Sequence, residues 1–479
     1  MKHRFQSIRV CTVTSLLAAV AITIQAAGGV GWAPPDAEAD PGQLVNMGRL
    51  RAGDFKRGVT AIFEADQKPL MRVPVRSSDP LSDDKGVTVQ VTWTVHDHPH
   101  GAAAVFEKTI DVTVSGGKEV MVEQELPLDE PGPYWVRVAM STGKKTIKKD
   151  RLGILYAPGN YKGEFTRPDD FAEFWDAKLA AMRKIPFDPK IEENPAYAID
   201  GYKGYDLEIT GHDGQRMACV LVIPEGKGPH DATLGGSPGD PGKVQAMLKK
   251  ARGQPVGVGM WQQGDPRIHV GAKSPRQSTY TYWNGRDDNN MLHVYLQTVR
   301  LMDYLRSRDD VKHIWLFGAS RSGPSCLAAA ALAPEQVAAV NVHVPTSCGL
   351  SWESRPYRGW GSRPPQDERG LVAAGVIGPE DQKHVPIHNT AAYFDPVNFA
   401  PDLKVPVVMD GGFYDGLSPI PGMIAFCNRA TNAPLVRWSI EQGEHGHFAN
   451  SGRGDMEKAL AEHLAKQAIA PAKTDADAE

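Results

Sequence analysis

Cysteine is scarce in this chain, five residues in 479, which excludes a small fold built on disulfides. Neither sign of charge dominates. Lys and Arg total 53 against 57 Asp and Glu, a net charge of -4, so there is no global basic field to hold nucleic acid. An apolar run of the ~20 residues that a membrane-spanning helix needs is also missing. The nearest approach, residues 11–24, is about 14 long and diluted by Thr and Ser. There is no internal repeat. What remains, 41% hydrophobic and 23% charged residues, excludes wholesale disorder. The length leaves ample chain to bury a large core.

The N-terminus has the layout of an export signal. Lys2, Arg4 and Arg9 precede the short apolar run, and Ile24-Gln25-Ala26-Ala27 offers small residues for cleavage. Residues 1–27 are therefore read as a signal peptide, which sends the mature chain to the periplasm or outside the cell. The competing reading is an uncut anchor, against which the shortness of the run argues. Cleavage removes three basic and no acidic residues, taking the charge from -4 to -7. Cys219, Cys326, Cys348 and Cys427 remain. An oxidising compartment allows pairing among them, and none has metal-ligand spacing.

Residues 28–54 are rich in Ala, Asp, Gly and Pro and read as a linker. Over 55–158 the pattern has period two. Val87, Val89, Val91, Trp93 and Val95 alternate with Thr88, Gln90, Thr92 and Thr94. Further runs cover 109–114, 119–125 and 134–140, with turn signals at 115–118 and 131–133. This spacing predicts an all-β sandwich of the immunoglobulin or fibronectin kind. His96, Asp97, His98 and His100 lie in it, and residues two apart on a strand share a face, which suits a metal. The adjoining Pro99 and Gly101 favour a polar hairpin tip instead. From 159 to 468 short β-branched runs alternate with helical stretches, which predicts a mostly parallel sheet covered on both faces by helices. Strands are expected at 217–223, 255–261, 313–317, 337–344 and 405–409, and helices at 245–250, 290–307, 325–332 and 456–466. Residues 469–479 read as a frayed tail.

The chemistry centres on Gly318-Ala319-Ser320-Arg321-Ser322-Gly323. A hydrophobic strand enters it and an Ala-rich helix leaves it, the context of a nucleophile elbow. Small residues at 318 and 322 allow the sharp turn. The helix N-terminus behind Ser320, with the Arg321 N–H, suits a developing oxyanion. A serine needs a base, and on this architecture the chain order is Ser, acid, His. The strand at 406–409 is followed by two candidate acids, Asp410 and Asp415, and the strand at 435–440 by two candidate bases, His445 and His447. The second oxyanion donor is expected from Gly235-Gly236-Ser237-Pro238. The Ser237 N–H is the candidate, since Pro238 has none.

With these residues in view, the chain from about Tyr161 to Leu464 resembles the acetylxylan esterase and cephalosporin-C deacetylase family, carbohydrate esterase family seven. Five stretches carry the resemblance: Arg167 to Trp175, Gly211 to Met217, the Ser320 elbow, Tyr393 to Ala400, and Gly412 to Asn428. It implies an α/β-hydrolase fold preceded here by the β-sandwich, and a carboxylic-ester hydrolase acting on acetylated carbohydrate or another small ester. It further implies no metal and no cofactor, and a tendency to form homo-oligomers. It assigns Asp415 as the acid and His445 as the base. The chain departs from the family at Ser322 for a Gly, at Gly446 for a Glu, and at Ser237 for a Tyr, which opens space beside the reacting carbonyl. Tyr282, Trp283, Trp352 and Trp360 are candidates to stack on sugar rings.

Neither nucleic acid nor membrane is an expected partner once the signal is cut. Two other readings share the data. One is a prolyl-oligopeptidase-like peptidase or aminoacyl hydrolase, which has the same residue order. The other is a non-catalytic glycan-binding protein on a decayed hydrolase core.

Overall fold

The computed structural model describes residues 45–47, 51–52, 60–77, 86–97, 103–163, 165–198, 201–235, 258–262, 286–287, 289–335, 337–349, 387–418, 420–446 and 458–465. Nine strands come first: β1 (Val45–Met47), β2 (Arg51–Ala52), β3 (Ala61–Phe63), β4 (Leu70–Ser77), β5 (Val87–His96), β6 (Phe106–Val114), β7 (Glu119–Glu125), β8 (Gly132–Thr142) and β9 (Lys145–Tyr156). They form two sheets. One orders as β1-β4-β2 with β7 on the other side of β4, and the second as β3-β9-β8-β5-β6. All pairs are antiparallel except β3 with β9. The alternation in β5 does what its period requires: Val89, Val91, Trp93 and Val95 are fully buried. They meet Met71, Val73 and Val75 from the first sheet in one hydrophobic cluster. Period two fails in β8, where Gly132 to Val136 are all buried. There Tyr134 and Val136 face the cluster between the sheets, while Trp135 and Leu155 belong to the cluster of the following part of the chain. Both faces of this stretch are covered.

The second part holds a nine-stranded sheet of β10 (Lys190–Glu193), β11 (Tyr202–Thr210), β12 (Arg216–Pro224), β13 (His230–Gly235), β14 (Val258–Gln262), β15 (Val311–Ala319), β16 (Val337–His343), β17 (Val407–Gly412) and β18 (Val436–Glu441). The order is β10-β11-β12-β14-β13-β15-β16-β17-β18. The strands from β14 to β18 in this order run parallel, and β10, β11 and β12 are antiparallel. The helix Asn290–Arg306 starts where Asn289 accepts the Met291 N–H at 2.9 Å, an N-cap. It packs with the helices Ser322–Leu332 and Ile420–Arg429 in the cluster that includes Val340 and Val407. One residue along, Ala339 and Val408 face Leu460 in the helix at 458–465. Alternation along the strands thus sends side chains to both faces, and helices cover each. Among the described residues no helix is long and apolar enough to cross a membrane.

The four described cysteines are all buried free thiols. The pairing that an exported chain allows is not made among them. The expected helix at 245–250 lies outside the described residues, as do His98 and His100. His96 is buried on β5 with Nδ1 3.1 Å from the Ala103 carbonyl.

Candidate active site

β15 delivers the elbow at its C-terminal end. Gly318 is required there. A Cβ would lie 2.6 Å from the Ser322 carbonyl oxygen, because the following helix folds straight back against the strand. Gly323 is held the same way, with Pro345 2.7 Å from where its Cβ would be. Ser322 contributes more than small size. Its Oγ accepts the Ala319 N–H at 2.8 Å and donates to the Ala319 carbonyl at 2.9 Å, which closes the turn. Ser320 sits between at φ 51°, a conformation unusual for a residue with a side chain. It is held by its N–H on the His343 carbonyl at 2.8 Å, and its carbonyl accepts from Gly323 and Thr346, each at 3.1 Å. Arg321 is the N-cap residue of the helix Ser322–Leu332, whose first turn carries no acidic residue to offset its positive end.

The acid loop leaves β17. Asp415 is fully buried. Its Oδ1 accepts the N–H groups of Leu417 at 2.8 Å and Ser418 at 2.9 Å. Its Oδ2 is 2.7 Å from His445 Nδ1. The same imidazole places Nε2 3.0 Å from Ser320 Oγ. Two backbone donors therefore fix the carboxylate, the carboxylate fixes the ring, and the ring reaches the hydroxyl. With Asp415 ionised, Nδ1 is the protonated nitrogen, which leaves Nε2 as acceptor for the serine proton. Asp410, the other candidate acid, is engaged elsewhere. It is buried within β17 and hydrogen-bonded to His343 Nδ1 across the β16–β17 ladder. His447, Ser237 and the aromatic candidates Tyr282, Trp283, Trp352 and Trp360 lie outside the described residues.

The two loops are tied to each other and to the N-terminal sheets. Phe413 donates its N–H to Glu441 and Tyr414 to Gly443, both at 2.7 Å. Trp135 of β8 packs on Phe413 with ring centroids 5.1 Å apart. Arg151 of β9 bonds Glu444 at 3.0 Å and lies 4.1 Å over the Tyr414 ring. Gln442 makes a two-point hydrogen bond to the main chain of Gly153. The sequence carried no local signal for these contacts, since the partners are nearly 300 residues apart in the chain.

Two motifs behind the resemblance prove to be packing elements. Trp175 donates its indole N–H to the Tyr393 carbonyl at 3.1 Å, and Phe171 meets Phe399 edge-on at 4.9 Å. Asp395 caps the short helix Pro396–Phe399 and also accepts the Gly349 N–H at 3.0 Å. Away from the site, His212 Nε2 and His293 Nδ1 lie 2.7 Å apart. With Asp213 they are the one group among the described residues whose donors converge enough to suit a metal. Sequence spacing gave no hint of it.

A family model described as acetyl xylan esterase (AXE1) matches residues 155–440. Acetyl esterase Axe7A of Xylanibacter ruminicola is 25% identical over 356 residues, 69% of this chain and 76% of that protein. Of solved structures, an acetyl xylan esterase from Paenibacillus sp. R4 superposes with a TM-score of 0.52 at 20% identity, over 64% of this chain and 98% of that one. Acetyl xylan esterase 1 from Thermoanaerobacterium sp. JW/SL YS485 gives 0.49 at 19%, over 64% and 97%. The fold is that of an α/β hydrolase, with N-terminal antiparallel sheets added.

Proposed function

Because this chain belongs to the acetyl xylan esterase family and is an esterase, we propose that it is exported and removes acetyl groups from O-acetylated sugars or polysaccharides through an acyl-enzyme on Ser320. The observation that carries the reading is the unbroken hydrogen-bond line from Asp415 through His445 to Ser320 Oγ, at 2.7 and 3.0 Å.

In the proposed cycle Ser320 Oγ attacks the ester carbonyl while His445 Nε2 takes its proton. Asp415 holds the ring and stabilises the imidazolium. The negative charge on the carbonyl oxygen is met by the Arg321 N–H at the positive end of its helix and by the Ser237 N–H. Collapse expels the sugar alkoxide, which receives the proton from His445. Water, deprotonated by the same nitrogen, then attacks the acetyl-serine, and the second tetrahedral intermediate returns acetate and free Ser320. The positive φ at Ser320 belongs to this reading, since it presents Oγ at the top of the sheet. The name of the relative Axe7A, an acetyl esterase, supports acetyl as the acyl group.

The test is hydrolysis of p-nitrophenyl esters from acetyl to octanoyl by mature protein, beside Ser320→Ala. Turnover is expected to peak at acetyl and to fall by at least ~10⁴ in the variant. A peak at longer chains would remove the deacetylase assignment. Equal turnover without the serine would remove the acyl-enzyme. Cleavage of a peptide panel in preference to acetyl esters would favour the peptidase reading.

A further inference from the structure

Strand β9 of the N-terminal sheets runs directly against the loops that carry Asp415 and His445. Two residues on one face of that strand make the contact, as period two allows. Gly153 offers both main-chain groups to the Gln442 side chain. Its N–H donates to Oε1 at 2.8 Å, and its carbonyl accepts from Nε2 at 2.6 Å. The Gln442 amide thus pairs with β9 as a neighbouring strand would. Gly153 is also the residue on which Phe413 rests. A Cβ there would fall 2.1 Å from the ring, so the strand and the acid loop touch through bare backbone. Two residues earlier, Arg151 bonds Glu444 and covers Tyr414. Glu444 immediately precedes His445, and Tyr414 immediately precedes Asp415. One strand therefore grips the residue before the base and the residue before the acid at once.

We propose that β9 is part of the catalytic centre, with Gln442 as a positioning residue whose clasp on Gly153 sets the reach of His445 Nε2 to Ser320 Oγ. This rests on the acyl-enzyme reading above. The hydrolase sheet alone holds the His445 loop at β18, through the two backbone bonds from the acid loop and through the Asp415–His445 bond. The clasp adds an anchor three residues before the base. Glu444 adds a second beside it. Losing them leaves His445 and Asp415 in place as residues but frees the loop to drift. A displacement of about 1 Å between reacting groups costs up to ~10²-fold in rate.

The experiment uses the full mature chain with Gln442→Met, which keeps the length of the side chain and deletes its two hydrogen bonds to Gly153 together with the 3.4 Å bond to Thr60 Oγ1. Gln442→Glu keeps the acceptor for the Gly153 N–H but replaces the donor to the Gly153 carbonyl with a second acceptor. Arg151→Ala and Arg151→Lys provide a second pair at an exposed position. Turnover of p-nitrophenyl acetate and the rate of Ser320 labelling by a phosphonate are measured per folded molecule, with the folded fraction taken from thermal unfolding. Gln442→Met is expected to lower kcat and the labelling rate together by about tenfold or more, with KM within about twofold. Gln442→Glu should lose no less than Gln442→Met, since a carboxylate oxygen then opposes the Gly153 carbonyl, and Arg151→Lys should exceed Arg151→Ala. Wild-type kcat and labelling per folded molecule in Gln442→Met and Arg151→Ala would overturn the proposal. Should Gln442→Met not fold, the Arg151 pair decides alone. Ser320→Ala in the same assay separates the two claims. An active Ser320→Ala sinks the acyl-enzyme, whereas an inactive one beside an unimpaired Gln442→Met sinks only the positioning role.

Discussion

A carboxylate can serve a histidine only if it is held still. Asp415 meets that need through its neighbours. Buried with no solvent contact, it accepts two backbone N–H groups on one oxygen and the imidazole on the other. Asp410 is also buried but bonded to His343, whose carbonyl holds the Ser320 N–H. The sequence alone left these two acids open. Their neutral isosteres separate them. Asp415→Asn presents an amide to Nδ1 and disfavours the tautomer that leaves Nε2 free, so kcat is expected to drop by ~10³–10⁴ with the fold intact. Asp410→Asn disturbs a buried pair that touches neither Ser320 Oγ nor His445. It is expected to lower thermal stability while keeping kcat within an order of magnitude. Circular dichroism melts beside acetyl-ester turnover give both readings, and a reversed pattern would reassign the acid.

At the scale of elements, the alternation of apolar residues announced β5 and the parallel strands, because burial on one or two faces writes itself into adjacent residues. The elbow was legible for a similar reason: a strand, a tight turn and a helix are contiguous in sequence. The stretches Arg167 to Trp175 and Tyr393 to Ala400 were legible as family marks, yet their work is to pack on one another. What stayed hidden are pairings between distant elements. The β11–β12 turn and the start of the helix Asn290–Arg306 bring His212 and His293 together from positions 81 residues apart. Burial, and then the adjacent His293, push His212 from 6.5 down to about 4. Between those values the unfolded chain holds a proton that the folded chain does not. Stability from this pair is therefore full above pH 6.5 and is lost as pH falls toward about 4. Urea midpoints across that range should decline in wild type and decline less steeply in His212→Asn. Parallel curves would show that another group sets the acid limit.

Across the whole molecule, two hydrophobic clusters meet where Trp135 and Leu155 leave the sandwich and join the larger one. The interface lies beside the acid and base loops, so the N-terminal sheets are more than an appended module. Their presence also bears on export, since the proposed signal precedes them and its removal fixes where the mature molecule begins. Thiol counting tests that step. Cys219, Cys326, Cys348 and Cys427 are buried and free. Burial pushes the first, second and fourth up to about 12, and Cys348 well above its ordinary range. Buried thiols held in the protonated form react slowly. The native protein purified from an exporting host should therefore give almost no colour with an aromatic disulfide reagent. Unfolded without reductant, it should give four equivalents if the signal is cut, because the fifth cysteine, Cys11, leaves with it. Five equivalents would mean the segment is retained and the cleavage reading is wrong. Fewer than four would mean that the oxidising compartment has paired cysteines that the fold presents as separate thiols.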